Sequence, residues 1–198
     1  MRPDPAVRPE FIGAFQQLAW RIAATLKGVP SANLPVKMYV AGGAALHFYT
    51  GERVSRDVDA VFSHRIALPD DLEIAYRDAD GAARVLYFDR QYNDTLALMH
   101  KDTHEDSLAL SLEGFNSRIL DVRLLAPLDL AVSKLSRFSE QDRDDILSLA
   151  RHRPIRSAAL RERANGALAG CVGSMERIRG SIELACRLLE DRERRLDR

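Results

Sequence analysis

Two aspartates flank a single valine in the segment Asp57-Val58-Asp59-Ala60-Val61-Phe62. In an extended strand, residues two apart leave the same face, so both carboxylates project to one side. Paired hard-oxygen ligands suit Mg²⁺ or Mn²⁺; Mg²⁺ takes one or two carboxylates and completes its shell with water and substrate phosphate. Such ions stabilise both the attacking and the leaving oxygen in phosphoryl chemistry. Thirteen residues separate Asp57 from an upstream glycine pair, Gly42-Gly43. Backbone N–H groups that follow such a pair at a helix N-terminus approach phosphate closely and carry positive partial charge. Taken alone, the aspartates also read as solvent-facing charges on an edge strand, and the glycines as a plain turn. Together in one segment they point to a triphosphate and a metal ion.

A third carboxylate is needed to complete a two-metal site or to take a proton. Asp121 is the candidate, because it interrupts the apolar run Ile119-Leu120-Asp121-Val122. A carboxylate in such a strand is costly to bury without a partner. A metal would offset that cost, and so would Arg118 or Arg123. Arg53 and Arg56 lie in the loop that leads into the aspartates, where a guanidinium can bind phosphate or hold a carboxylate. His100 and His104, beside Asp102, Glu105 and Asp106, have zinc-ligand spacing. With no Cys or third His nearby, they read better as a solvated polar loop.

The elements around these residues follow from periodicity and breakers. Phe11, Phe15, Leu18, Ile22 and Leu26 recur at helical steps, and Gly28, Pro30 and Pro35 close that helix. Val36 to Val40 reads as a strand, Ala44 to Tyr49 as a short helix, and Gly51 to Arg56 as a polar loop. Pro69 to Asp78 is expected as a helix with proline in its first turn. Arg84 to Phe88, Ser107 to Leu112 and Arg118 to Leu125 read as strands, the last two joined at Gly114-Asn116. Helices are expected from Pro127 to Phe138 and from about Glu140 to His152. Beyond Ile155, Ala, Leu, Arg and Glu dominate, with weak breaks at Gly166, Gly170 and Gly173 and a solvated, mixed-charge end from Glu190 to Arg198. The expected organisation is α/β (α+β): a proline-rich flexible arm over 1–10, a small mixed sheet with flanking helices over 11–125, and a C-terminal helical bundle over 126–198.

With 198 residues and 46% hydrophobic composition the chain can bury a full core. Twenty-nine basic residues balance 29 acidic ones, so any nucleic-acid contact must be local. Cys171 and Cys186 are too few for a disulfide framework and read as free thiols. No stretch reaches membrane-spanning length, and Met1 to Glu10 has no signal-peptide character. The expectation is a cytoplasmic protein.

Gly42-Gly43, the spacer and Asp57-Val58-Asp59 resemble the nucleotidyltransferase (DNA polymerase β-like) superfamily, whose signature is a Gly-Gly or Gly-Ser pair, roughly a dozen residues, then Asp-hydrophobic-Asp. Arg53-Val54-Ser55-Arg56-Asp57-Val58-Asp59 is similar to the Arg-x-Ser-x-Asp-hydrophobic-Asp segment of the abortive-infection and toxin–antitoxin branch, the AbiEii-type and DUF6036-type nucleotidyltransferases. Leu124 to Leu135 resembles the segment that places a lysine, here Lys134, on the helix after the third-carboxylate strand. Asp142-Arg143-Asp144-Asp145-Ile146 resembles the Arg/Lys-Asp-x-x-Asp-Leu segment that follows. On spacing alone, Lys134 reads as a surface lysine, and Asp142 and Asp145 as helix-capping carboxylates.

The resemblance implies in-line attack on the α-phosphate of a nucleoside triphosphate. Asp57, Asp59 and Asp121 would hold the metal, with Asp121 as candidate base. Gly42, Gly43, Arg53, Ser55 and Lys134 would bind the nucleotide. It further implies an acceptor hydroxyl on RNA or protein, and a cognate antitoxin as partner. A small-molecule acceptor such as an aminoglycoside is the alternative within enzymes. Ala44, where many members carry Ser or Thr, keeps open a silent nucleotide-binding or interaction module.

Overall fold

The computed structural model describes residues 1–171 and 174–196. The chain divides into two compact units: Met1–Tyr92 with Ser107–Leu125, and Asn93–Asp106 with Ala126–Arg198.

The first unit is α/β. Its first helix, α1 (Pro9–Thr25), buries Phe11, Phe15, Leu18 and Ile22, the stripe expected from periodicity. Strand β1 (Val36–Val40) leads into α2 (Gly42–Thr50), a helix buried on nearly every side. Then come β2 (Asp57–Val58), β3 (Ala60–Phe62), β4 (Glu73–Arg77), β5 (Ala83–Phe88), β6 (Leu108–Ala109) and β7 (Leu120–Leu124). They form one sheet ordered β3-β1-β7-β6 and another ordered β2-β5-β4. Asp59 is the joint between the two sheets. Its carbonyl accepts from Ala41 N at 2.8 Å beside β1, and Asp89 N donates to the preceding carbonyl, Val58 O, at 3.1 Å beside β5. Met38, Val40, Val58, Leu120, Val122 and Leu124 fill the apolar side. The Phe15 and Phe48 rings meet edge to face there at 4.9 Å.

The helix expected over Pro69 to Asp78 is a strand instead. Glu73 to Arg77 pairs antiparallel with Tyr87 to Ala83. A turn in which Asp78 O accepts from Gly81 N at 2.8 Å closes the hairpin. The segment alternates Ile74 and Tyr76 with exposed residues, a period of two that long-range pairing selects over local helix propensity. The strand expected over Ser107 to Leu112 is regular only at Leu108–Ala109. The arm expected to be loose is laid against the unit: Val7 is buried, Asp4 N donates to Phe48 O at 3.0 Å, and Ser111 N donates to Met1 O at 2.8 Å.

The second unit is helical: α3 (Pro127–Ser133), α4 (Glu140–His152), α5 (Ser157–Ala167) and α6 (Met175–Leu196). Helix α3 ends at Ser133, earlier than expected; turns follow over 134–137, and Phe138 adopts φ 52 before α4. Helix α4 opens with a capping box between Ser139 and Asp142. A buried Asp129 ties the unit together, accepting from Arg163 Nε at 2.7 Å and from Thr103 Oγ1 at 3.1 Å. Gly170 ends a short 3₁₀ turn. Gly173, and Asp197 and Arg198 of the charged end, lie outside the described residues. Cys171 and Cys186 are free. Among the described residues no helix is long and apolar enough to cross a membrane.

Candidate active site

The glycine pair is required for two separate reasons. Gly42 has φ +57, and a Cβ there would lie 1.8 Å from Asp59 Oδ2. A Cβ on Gly43 would lie 2.5 Å from Ser55 Oγ and 3.2 Å from an Arg53 guanidinium nitrogen. The start of α2 is thus clasped by Asp59 on one side and by Ser55 and Arg53 on the other. Ser55 is buried, and its hydroxyl donates to Asp57 Oδ1 at 2.5 Å. The structure therefore brings together Gly42, Gly43, Arg53, Ser55, Asp57 and Asp59. The N-cap residue of α2, Ala41, gives no side-chain cap. Ala44 is wholly buried and supplies only its backbone N–H. A helix start of this kind presents partial positive charge to an anion.

Asp121 stands elsewhere. It pairs in register with Lys37, whereas Asp59 bonds at the level of Ala41, four residues along the same strand. That is about 13 Å along the strand direction, with β1 lying between β3 and β7. Arg123 Nη1 donates to its carboxylate at 3.1 Å, and Arg123 Nε donates to Ser107 Oγ at 2.8 Å. Asp121 is a carboxylate satisfied by Arg123, the other reading its neighbours allowed.

Asp89, not Asp121, is the carboxylate that strand register brings level with Asp59. Strands β2 and β5 run parallel, with Asp57 opposite Tyr87 and Val58 opposite Phe88. The next bond, from Asp89 N to Val58 O, carries Asp89 to the level of Asp59. Residues in register share a sheet face, so Asp57, Asp59 and Asp89 project to one side. Tyr87 senses them. Its hydroxyl is raised above its ordinary value of 10.0, first by the charge of Asp57, then by burial, Asp89 and Asp59. One oxygen of Asp89 accepts from Gln91 N at 2.8 Å. The sequence did carry a signal: Leu86-Tyr87-Phe88-Asp89 is an apolar strand ending in a carboxylate, the same pattern that singled out Asp121.

All three groups are hard oxygen donors, the chemistry that suits a divalent magnesium-like ion. Among the described residues no group of three carboxylate, imidazole or thiol side chains is placed to hold a metal ion. The donor set fits a cation held by one or two carboxylates, with substrate oxygens filling the rest of its shell.

Lys134 belongs to the helical unit, where it is buried. Its ammonium donates to Asp145 Oδ2 at 2.7 Å and lies 4.0 Å from Asp142 Oδ1. Asp142 is gripped by Arg137 through bonds of 2.8 and 2.7 Å. Burial would raise the Asp142 carboxyl, but the bonds from Arg137 and Ser139 overcome it and bring the pKa down to about 2. His100 and His104 pair with Asp102 and Asp94 at 3.6 and 3.3 Å.

A strand, a glycine pair opening a helix, and an Asp-x-Asp strand clasped onto that pair define a nucleotidyltransferase-type site. A family model described as a nucleotidyltransferase of unknown function (DUF6036) matches residues 19–180, and the chain belongs to that family. No curated protein matches the chain.

Proposed function

We propose that the protein is a metal-dependent nucleotidyltransferase that moves a nucleotidyl group from a nucleoside triphosphate to a hydroxyl of RNA or protein. The observation that carries this reading is the strand register that sets Asp57, Asp59 and Asp89 on one sheet face, beside the uncapped start of α2. In this scheme the backbone N–H groups at Gly42 and Gly43 seat the triphosphate. Arg53 neutralises it, and Ser55 holds Asp57 in its rotamer. Asp57 and Asp59 would hold a divalent cation, Mg²⁺ or Mn²⁺, which supplies positive charge to the phosphates.

The acceptor oxygen bonds to the α-phosphorus. The bond from that phosphorus to its bridging oxygen breaks, and the electron pair leaves on pyrophosphate. The hydroxyl proton passes to the Asp89 carboxylate, acting as general base. Lys134 is proposed to shape the helical unit through Asp145, since its charge is already compensated there. The resemblance to toxin-type members makes a cognate antitoxin the partner to seek. Ala44 supports a second reading, a scaffold that binds nucleotide without turnover, because it offers no hydroxyl to the phosphates.

The test is titration with each nucleoside triphosphate, with and without Mg²⁺, beside the Asp57→Ala/Asp59→Ala variant, followed by labelled transfer to tRNA and protein. Metal-dependent binding and transfer lost in the variant are expected. Binding without transfer to any acceptor favours the silent scaffold, and no binding at all would sink the nucleotide reading.

A further inference from the structure

Helix α6 carries two apolar rows, and the helical unit buries one of them. Ile178, Ile182, Ala185 and Leu189 are in the core. Beside them, Leu184 is 53% exposed, and Leu188, one turn further along the same side, is half-buried. Leu188 and Leu147 of α4 line a groove of about 380 Å³, with Arg151, Asp191, Arg192 and Arg195 at its rim. A second hollow, of about 350 Å³, shares Arg151 and Arg192 with it and adds Arg156 and the exposed Leu196. The acids nearby are engaged. Asp191 pairs with Arg194. Glu193 accepts from Ser157 N at 2.8 Å and from Ser157 Oγ at 3.2 Å. Glu183 and Glu190 both pair with Arg161. Arg192 and Arg195 remain as cations of the rim, and the negative ends of the α4 and α6 dipoles offset only part of their charge.

We infer that this face of the helical unit docks an amphipathic helix of a partner protein, with aliphatic side chains along one side and carboxylates on the flanks. The inference goes beyond the nucleotidyl-transfer reading and does not depend on it. A groove floored by leucines accepts aliphatic residues repeated at three- and four-residue steps. Guanidiniums at its rim bind carboxylates through paired hydrogen bonds. A nucleic-acid strand would use the charges but find no ring to stack on, because neither α4 nor α6 contains Phe, Tyr or Trp. A second copy of the chain, meeting this face across a two-fold axis, would set these arginines against themselves. From Leu184 to Arg195 the surface runs about 17 Å along α6, which matches a partner helix of about three turns.

The experiment uses the full chain and a fluorescent peptide of roughly 16 residues, with leucines on one helical face and glutamates beside them. A second peptide carries lysine in place of each glutamate. Binding is read by anisotropy, and the melting temperature reports folding. The glutamate peptide is expected to bind wild type, and about tenfold more weakly to bind Arg192→Glu/Arg195→Glu and Leu184→Gln, both melting close to wild type. Arg192→Gln/Arg195→Gln weakens binding in the same direction with a smaller change to the surface. The lysine peptide should bind the charge-reversed variant and not wild type, an exchange that a structural role for the arginines would not produce. Failure of the glutamate peptide to bind wild type overturns the inference, as does binding that no variant alters. Preferential binding of a roughly 12-nucleotide single-stranded RNA, lost in Arg192→Glu/Arg195→Glu and kept in Leu184→Gln, would overturn it in favour of nucleic acid. Self-association of wild type in sedimentation, abolished by Leu184→Gln, would overturn it in favour of a second copy.

Discussion

Two acidic clusters in this molecule have opposite electrostatic character. Around β2 and β5, Asp57, Asp59 and Asp89 add their negative fields, and the Tyr87 hydroxyl is raised in consequence. Around α4, Asp142 and Asp145 are met by Lys134 and Arg137, and the Asp142 carboxyl is drawn down to about 2 despite its burial. Residue type is the same in both places; local potential is not. Carboxylates that share a sheet face suit a divalent cation, whereas carboxylates paired with buried lysine and arginine hold helices together. The contrast supports the proposal that Lys134 and the Asp142–Asp145 segment are architecture and that the reaction takes place on the Asp57–Asp89 face.

The sharpest break in that contrast comes from Lys134→Met. It leaves Asp145 and Asp142 buried beside one fewer cation, and a loss of about 3–5 kcal/mol in folding stability is expected by chemical denaturation. A variant as stable as wild type that has lost triphosphate binding would move Lys134 into the reaction centre. Asp89→Asn is the complementary change. Transfer is expected to fall about a hundredfold or more with the melting temperature nearly unchanged, and full activity would remove Asp89 from the mechanism.

Gly42→Ala forces a side chain into φ +57 against Asp59. The expected cost is about 1–3 kcal/mol, read by thermal unfolding, with weakened triphosphate binding. The Asp142 carboxyl predicts an acid limb. Its pKa is lowered on folding from 3.8 to about 2, so its contribution is full above about pH 4 and disappears as pH falls toward 2. That contribution is about 2 kcal/mol, and Asp142→Asn should flatten the stability profile in that window. Asp121→Asn is the smallest effect. A partly exposed pair with Arg123 contributes under about 1 kcal/mol, and transfer should be unchanged. Loss of transfer would return Asp121 to the site and refute the choice of Asp89.

Much of this was legible from short stretches of chain. The α1 stripe, the strand–glycine pair–helix unit and the α4 boundaries depend on neighbours within a few residues. So does the common face of Asp57 and Asp59, which follows from the period of two in an extended chain. Arg53 was legible from its loop and Ser55 only through resemblance; no local pattern says that both close on Gly43. The misread helix at Pro69 to Asp78 shows the limit from the other side. A proline-opened polar segment is locally compatible with helix, and the β4–β5 hairpin overrode it.

Local pattern carries the elements of the candidate site: a glycine pair opening a helix, followed by two carboxylates on one strand face. Which carboxylate stands level with Asp59 depends on tertiary structure, because Asp89 and Asp121 both end or interrupt apolar strands and look alike along the chain. Strand order distinguishes them. Strand β5 lies beside β2, and β7 lies across β1 from β3. Which strands become neighbours is settled by burial of whole apolar faces, an interaction among residues far apart in sequence that no local pattern contains.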